Sequence, residues 1–122
     1  MSTNLTIEKT REYVWRIGPF GNRALSSHNW ITAWHVVDAD SGKRIAGGHS
    51  QGNNSQSGYA RISRRKDARG FIAGYLAAER GEVVFKGMHN YPSNARDLLK
   101  TRDEQELEHF IWGAQHFLES HQ

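Results

Sequence analysis

The strongest concentration of chemically active side chains is basic: Arg61, Arg64, Arg65, Lys66 and Arg69 follow Tyr59 and lead into an apolar-periodic run. Guanidinium groups are planar forks of N–H donors that can grip a phosphate or carboxylate with two parallel bonds. A helix start adds unpaired backbone N–H groups and the positive end of the helix dipole, which also favour an anion. Residues 59–69 therefore read as an anion-binding surface for a phosphate backbone, a nucleotide or an acidic protein surface. The competing reading is a solvated stretch whose arginines pair with an acidic C-terminal helix. Charge placement suits both, since residues 1–60 balance at +2, residues 61–80 at +4 and residues 81–122 at −3.

Aromatic side chains are the next resource. Trp15, Trp30, Trp34 and Trp112, with Tyr13 and Tyr59, would offer stacking platforms for bases if they shared a face with Arg64 and Arg65. Trp30 and Trp34 alternate along a strand pattern, however, which favours a place in the core. Trp112 and Phe117 fall off the main apolar stripe of the last helix and are the expected protein interface.

Among the seven histidines, His109 and His116 stand seven residues apart, without the three- or four-residue spacing that helical metal ligands use, so no metal site is expected. His35, between tryptophans in a strand, reads as a hydrogen-bonded sheet residue. If a pocket joined His35 or His49 to the basic patch, the chain would suit a small transferase or hydrolase acting on a phosphate-bearing substrate. No Gly-x-Ser-x-Gly elbow and no Walker loop is present, and Asp38 and Asp40 belong to a turn, so no catalytic residue is assigned.

The stretch DSGKRIAGG at a hairpin turn, followed by ARGFIAGYL opening a helix, is similar in outline to the acyl-CoA-dependent acetyltransferases. That resemblance implies a pyrophosphate-gripping Arg/Gln-x-x-Gly-x-Gly/Ala loop. Here Asp67 stands three places before Gly70 and Ile72 two places after it, and the family's N-terminal helical pair is missing. No acyl-CoA site or other cofactor is assigned.

The elements that must position these groups fit one domain of 122 residues. An apolar share of 37% is low, but four Trp, four Tyr and five Phe supply large buriable surfaces. Cysteine is absent, which excludes disulfides and thiolate chemistry. No apolar run reaches the roughly 18–20 residues that span a bilayer, and MSTNLTIEKTREY lacks a secretory hydrophobic stretch, so a cytoplasmic location without membrane contact is expected.

Strands are predicted over residues 11–17 and 29–37, the latter joined through DADSG to residues 43–46 in a hairpin. Residues 47–58, GGHSQGNNSQSG, read as a mobile loop, and residues 59–63 as another short strand. Asp67 is the predicted N-cap of a helix to Arg80 with Gly81 as its C′ residue, and Gly70 and Gly74 would let it lie close against a sheet. Residues 82–88 read as a strand and residues 93–100 as a short helix. A last helix begins at Thr101, with Thr101 and Glu104 at capping-box spacing and an apolar stripe of Leu107, Phe110, Ile111, Ala114, Leu118 and His121.

The whole reads as an α+β fold: an antiparallel sheet of about four or five strands with two main helices packed on one face. The leading functional expectation is a small non-enzymatic binding protein that contacts nucleic acid or an acidic protein surface through residues 59–69. A protein-binding regulator or inhibitor, acting as a homo- or hetero-oligomeric adaptor, is the alternative beside the small enzyme.

Overall fold

The computed structural model describes residues 3–13, 16–17, 23–24, 30–47 and 62–121. Four strands come first: β1 (Leu5–Tyr13), the short β2 (Arg16–Ile17) and β3 (Arg23–Ala24), and β4 (Trp30–Asp38). Then follow β5 (Arg44–Gly47), helix α1 (Arg65–Glu79), the pair β6 (Phe85–Lys86) and β7 (Tyr91–Pro92), the one-turn α2 (Ala95–Leu98) and α3 (Glu104–Ser120). The chain is thus α+β and its main sheet antiparallel, with order β1-β4-β5. Among the described residues that sheet has three strands rather than four or five, because β2–β3 and β6–β7 form separate two-stranded ladders.

β1 starts at Leu5, well before the expected Arg11. Only its first four residues, LTIE, alternate apolar and polar side chains, and the register Ile7 opposite Val36 and Lys9 opposite Trp34 puts Leu5 and Ile7 on the face that holds Val36. The β4–β5 hairpin forms as expected. Asp38 Oδ1 accepts the Asp40 N–H at 2.9 Å in the turn, and Gly42 takes φ +74°, where a side chain would be strained. Both faces of β4 are covered, with Ala33, His35 and Val37 buried on one and Val36 on the other. Residues 48–58 of the expected loop and residues 59–61 of the expected strand lie outside the described residues. Ile62 is placed beside β4 by the Trp34 N–H, which donates to its carbonyl at 3.3 Å.

The sheet-side core joins Val36, Ala46, Ile62, Ala68 and Phe71, and a second cluster joins Ala77, Ala95, Leu107 and Phe110. Burying Phe71 and Phe110 contributes roughly 2–3 kcal/mol each. Helix α1 belongs to both clusters, so it is the middle of the molecule. α3 lies alongside it and sends Trp112 into the sheet-side core.

The two helices approach through glycine. A Cβ added at Gly70 would stand 2.8 Å from the Glu106 carbonyl oxygen, one at Gly74 1.9 Å from that of Phe110, and one at Gly113 2.0 Å from that of Phe71. Gly70 and Gly74 therefore face α3, not the sheet as expected from sequence. Their partners, Glu106 and Phe110, advance in the same direction, so α1 and α3 run parallel. A parallel pair needs a return connection, supplied by β6–β7 and α2. Here a single strand over residues 82–88 was expected, but only Phe85–Lys86 is extended, since Gly87 and Asn90, at φ +83° and +51°, close a tight turn.

Helix ends follow local chemistry. Gly81, at φ +78°, donates to the Ala78 carbonyl and Glu82 to that of Ala77, which closes α1 in a Schellman motif at the expected C′ glycine. Asp103, rather than Thr101, caps α3, accepting the Gln105 and Glu106 N–H groups at 3.1 Å. Thr101 stands two residues back and accepts the Asp103 N–H at 3.1 Å. At the far end His121 is exposed and stacks on Phe117 at 4.2 Å, outside the apolar stripe expected for it.

Gly74→Ala tests the close approach. In an open helix the change adds about 1 kcal/mol of helix propensity. Here the methyl group meets the Phe110 carbonyl, so urea unfolding should show a loss of about 1–3 kcal/mol or more. A gain in stability would show that the helices are not in contact at this glycine.

Candidate functional site

The parallel arrangement brings the starts of α1 and α3 together, and with them the positive ends of both helix dipoles. A carboxylate serves each. Asp103 caps α3, and Asp67, in the first turn of α1, is fully buried. Asp67 was the expected N-cap of α1, but Arg64 holds that position, with extended backbone and no side-chain capping bond.

Arg64 joins the two carboxylates. Its Nε and Nη2 donate to Asp67 at 3.0 and 2.6 Å, and its Nη1 and Nη2 donate to Asp103 at 2.9 and 3.0 Å. Gln105 Nε2 adds a donor to Asp67 at 2.6 Å, and Lys66 Nζ lies 3.4 Å from Asp103. A buried carboxylate is costly unless its oxygens are filled, and Asp67 has three donors on it. Bonds to Asp67 and then Asp103 hold the Arg64 guanidinium more firmly protonated than usual. The Asp103 carboxyl lies well below the usual carboxylate range, first because Arg64 donates to it and then because the Glu106 N–H does. His109, also buried, donates from Nδ1–H to the Gln105 carbonyl at 2.7 Å, with Asp67 Oδ1 3.9 Å away.

This network divides the expected anion-binding residues. Arg64 and Lys66 are held by carboxylates. Arg65 and Arg69, one helical turn apart, are exposed and form no ion pair among the described residues. Tyr59 and Arg61 lie outside the described residues. Within the described part of this basic stretch, the pairing of arginines with the acidic C-terminal helix is real for Arg64 and absent for Arg65 and Arg69.

The expected interface residues are each packed in part within the chain. Trp112 is half-buried against the sheet-side core and the His109 ring, with centroids 4.7 Å apart, and Phe117 meets Tyr75 edge-on at 5.3 Å. Trp112 keeps an outward edge, which lines two shallow grooves on α3. One, of about 440 Å³, has Tyr91, Leu107 and Ile111 beside it with Glu108 on the rim; the other, of about 510 Å³, runs toward Ser63 and His109. Arg96 donates to both oxygens of Glu104 at 2.9 Å, which lowers the Glu104 carboxyl below its ordinary range.

His35 takes no part in either groove. It is buried in the sheet, its Nε2 2.9 Å from Thr10 Oγ1, as expected for a hydrogen-bonded strand residue. His49 lies outside the described residues. Among the described residues no group of three or more potential ligands could hold a metal ion, and no helix is long and apolar enough to cross a membrane.

Sequence reasoning missed Asp103 and Gln105 as members of the network. Two signals pointed there: Arg64 and Asp67 at i,i+3 spacing, and Asp103 with Glu106 at the same capping-box spacing that Thr101 and Glu104 share. No protein-family model, curated protein or solved structure matches the chain.

Because the folded Asp103 carboxyl is depressed, it contributes stability that is complete above the unfolded Asp value of about 3.9 and is lost as pH falls below it. Arg64→Ala should therefore destabilise the protein clearly at neutral pH, more than Arg65→Ala or Arg69→Ala, and the gap from wild type should narrow below about pH 4. Denaturant unfolding at both pH values measures this; a gap unchanged in acid would remove Asp103 from the network.

Proposed function

We propose that the protein is a non-enzymatic binding protein whose α1 start contacts an anionic partner, nucleic acid or an acidic protein surface. One observation carries the reading: Arg65 and Arg69 project side by side from a helix start whose neighbouring carboxylates are already filled by Arg64, Lys66 and Gln105. Asp67 and Asp103 are thereby spent on other cations and leave these two arginines for a partner.

The same geometry supports a pre-organised surface. Arg64 ties α1 to α3, so an anion meeting Arg65 and Arg69 meets a helix start that is fixed against its neighbour. Fixed donors lose less entropy on binding than mobile ones. Arg64 supplies no side-chain capping bond, and while the Asp67 and Ala68 N–H groups donate to its carbonyl, those of Arg65 and Lys66 add to the attraction.

The test is binding to single-stranded oligonucleotides and to an acidic polypeptide across a salt series, comparing wild type with Arg65→Ala/Arg69→Ala. Arg64 is unsuited as the variant because it holds the fold. Loss of two phosphate contacts should weaken binding at low salt and flatten the log K against log salt slope by about 1.4. Binding to the polypeptide alone would identify an acidic protein surface as the partner. If neither probe binds wild type at low salt, or the double variant binds as wild type does, the reading fails.

A further inference from the structure

The exposed large hydrophobic side chains among the described residues, Val84, Met88, Tyr91 and Leu98, all lie in the connection between α1 and α3. Met88 is 94% exposed and sits in the turn between β6 and β7, the tip of that short antiparallel hairpin. Tyr91, on β7 and 54% exposed, also lines the α3 groove of about 440 Å³ with Leu107, Ile111 and Trp112. A knob and a hollow therefore adjoin on one surface, joined by a tyrosine that belongs to both.

The charges on that surface are complementary as well. Lys86, at the base of the knob, and Glu108, on the rim of the hollow, are both exposed, and neither forms an ion pair among the described residues. The other charged pair at the groove, Arg96 with Glu104, is already satisfied within the chain.

We infer that this face binds a second copy of the chain across a two-fold axis, with Met88 of each copy seated in the groove of the other and Lys86 of each facing Glu108 of the other. A two-fold contact requires a patch that is complementary to itself, and a knob beside a hollow with opposite charges on the two meets that requirement. Methionine suits the role because its unbranched, polarizable side chain adapts to an irregular hollow and makes favourable contacts with aromatic rings such as Trp112 and Tyr91. No cation of α1 takes part, so dimerisation leaves Arg65 and Arg69 to their own partner.

Sedimentation velocity on the full chain, from dilute solution toward millimolar protein, tests the inference. Wild type should shift from monomer to dimer with concentration. Met88→Asp should abolish the shift, while Lys86→Glu and Glu108→Lys should each weaken it about tenfold and restore it when combined. All of these positions are exposed, and circular dichroism melting checks that the variants remain folded. A monomer at every concentration, a dimer indifferent to the Met88 change, or a charge exchange that fails to restore association would each overturn the proposal.

Discussion

A buried carboxylate organises this protein. Asp67 sits without solvent contact where two parallel helices begin, and its oxygens are filled by Arg64 and Gln105. Parallel helices bring like dipole ends together, which is unfavourable until negative charge is placed there. Asp67 and Asp103 supply that charge, and Arg64 spans both so that neither carboxylate is left unpaired. A buried pair of this kind is weak evidence for net stability, since desolvation offsets much of the attraction. Its plainer consequence is register: the fork fits only when Arg64 of one helix start meets Asp103 of the other. The glycines at 70, 74 and 113 then admit an approach that any side chain would block.

That register sorts the surface. Arg64 is committed to Asp67 and Asp103, Lys66 lies half-exposed beside Asp103, and Arg65 and Arg69 form no ion pair among the described residues. On α3, Trp112 shows a similar division within one side chain, with its body in the sheet-side core and its edge in the grooves. The connection that parallel helices demand is the segment carrying Val84, Met88, Tyr91 and Leu98. Helix direction, salt network and exposed apolar surface are thus linked consequences of one arrangement.

Much of this was legible in the chain. Turn chemistry located the β4–β5 hairpin, Gly81 marked the end of α1, and helical spacing identified Leu107, Phe110 and Ala114 as buried. What the sequence withheld was tertiary. Gly70 and Gly74 announce a close approach but not to which neighbour, and only the parallel course of α3 decides it. A carboxylate one helical turn after an arginine looks the same whether it is a cap, a surface pair or a buried hub. Asp67 became the last of these because α3 lies over it. β1 was missed at its start for a different reason: LTIEKT is a polar strand whose alternation is weak until β4 provides the register. The candidate cations were recognised as a group. Their separation into held and free required Asp103, which lies far along the chain.

The most direct test of this account is a double-mutant cycle between Arg64 and Asp103, with Arg64→Ala, Asp103→Asn and the combination unfolded in denaturant. If the fork joins the two helix starts, the combined substitution should cost clearly less than the sum of the single ones, because each single change already breaks the shared contact. Strict additivity would mean that the residues act independently. The Arg64 bond to Asp103 would then not join the helix starts, contradicting the basis on which the cations are divided.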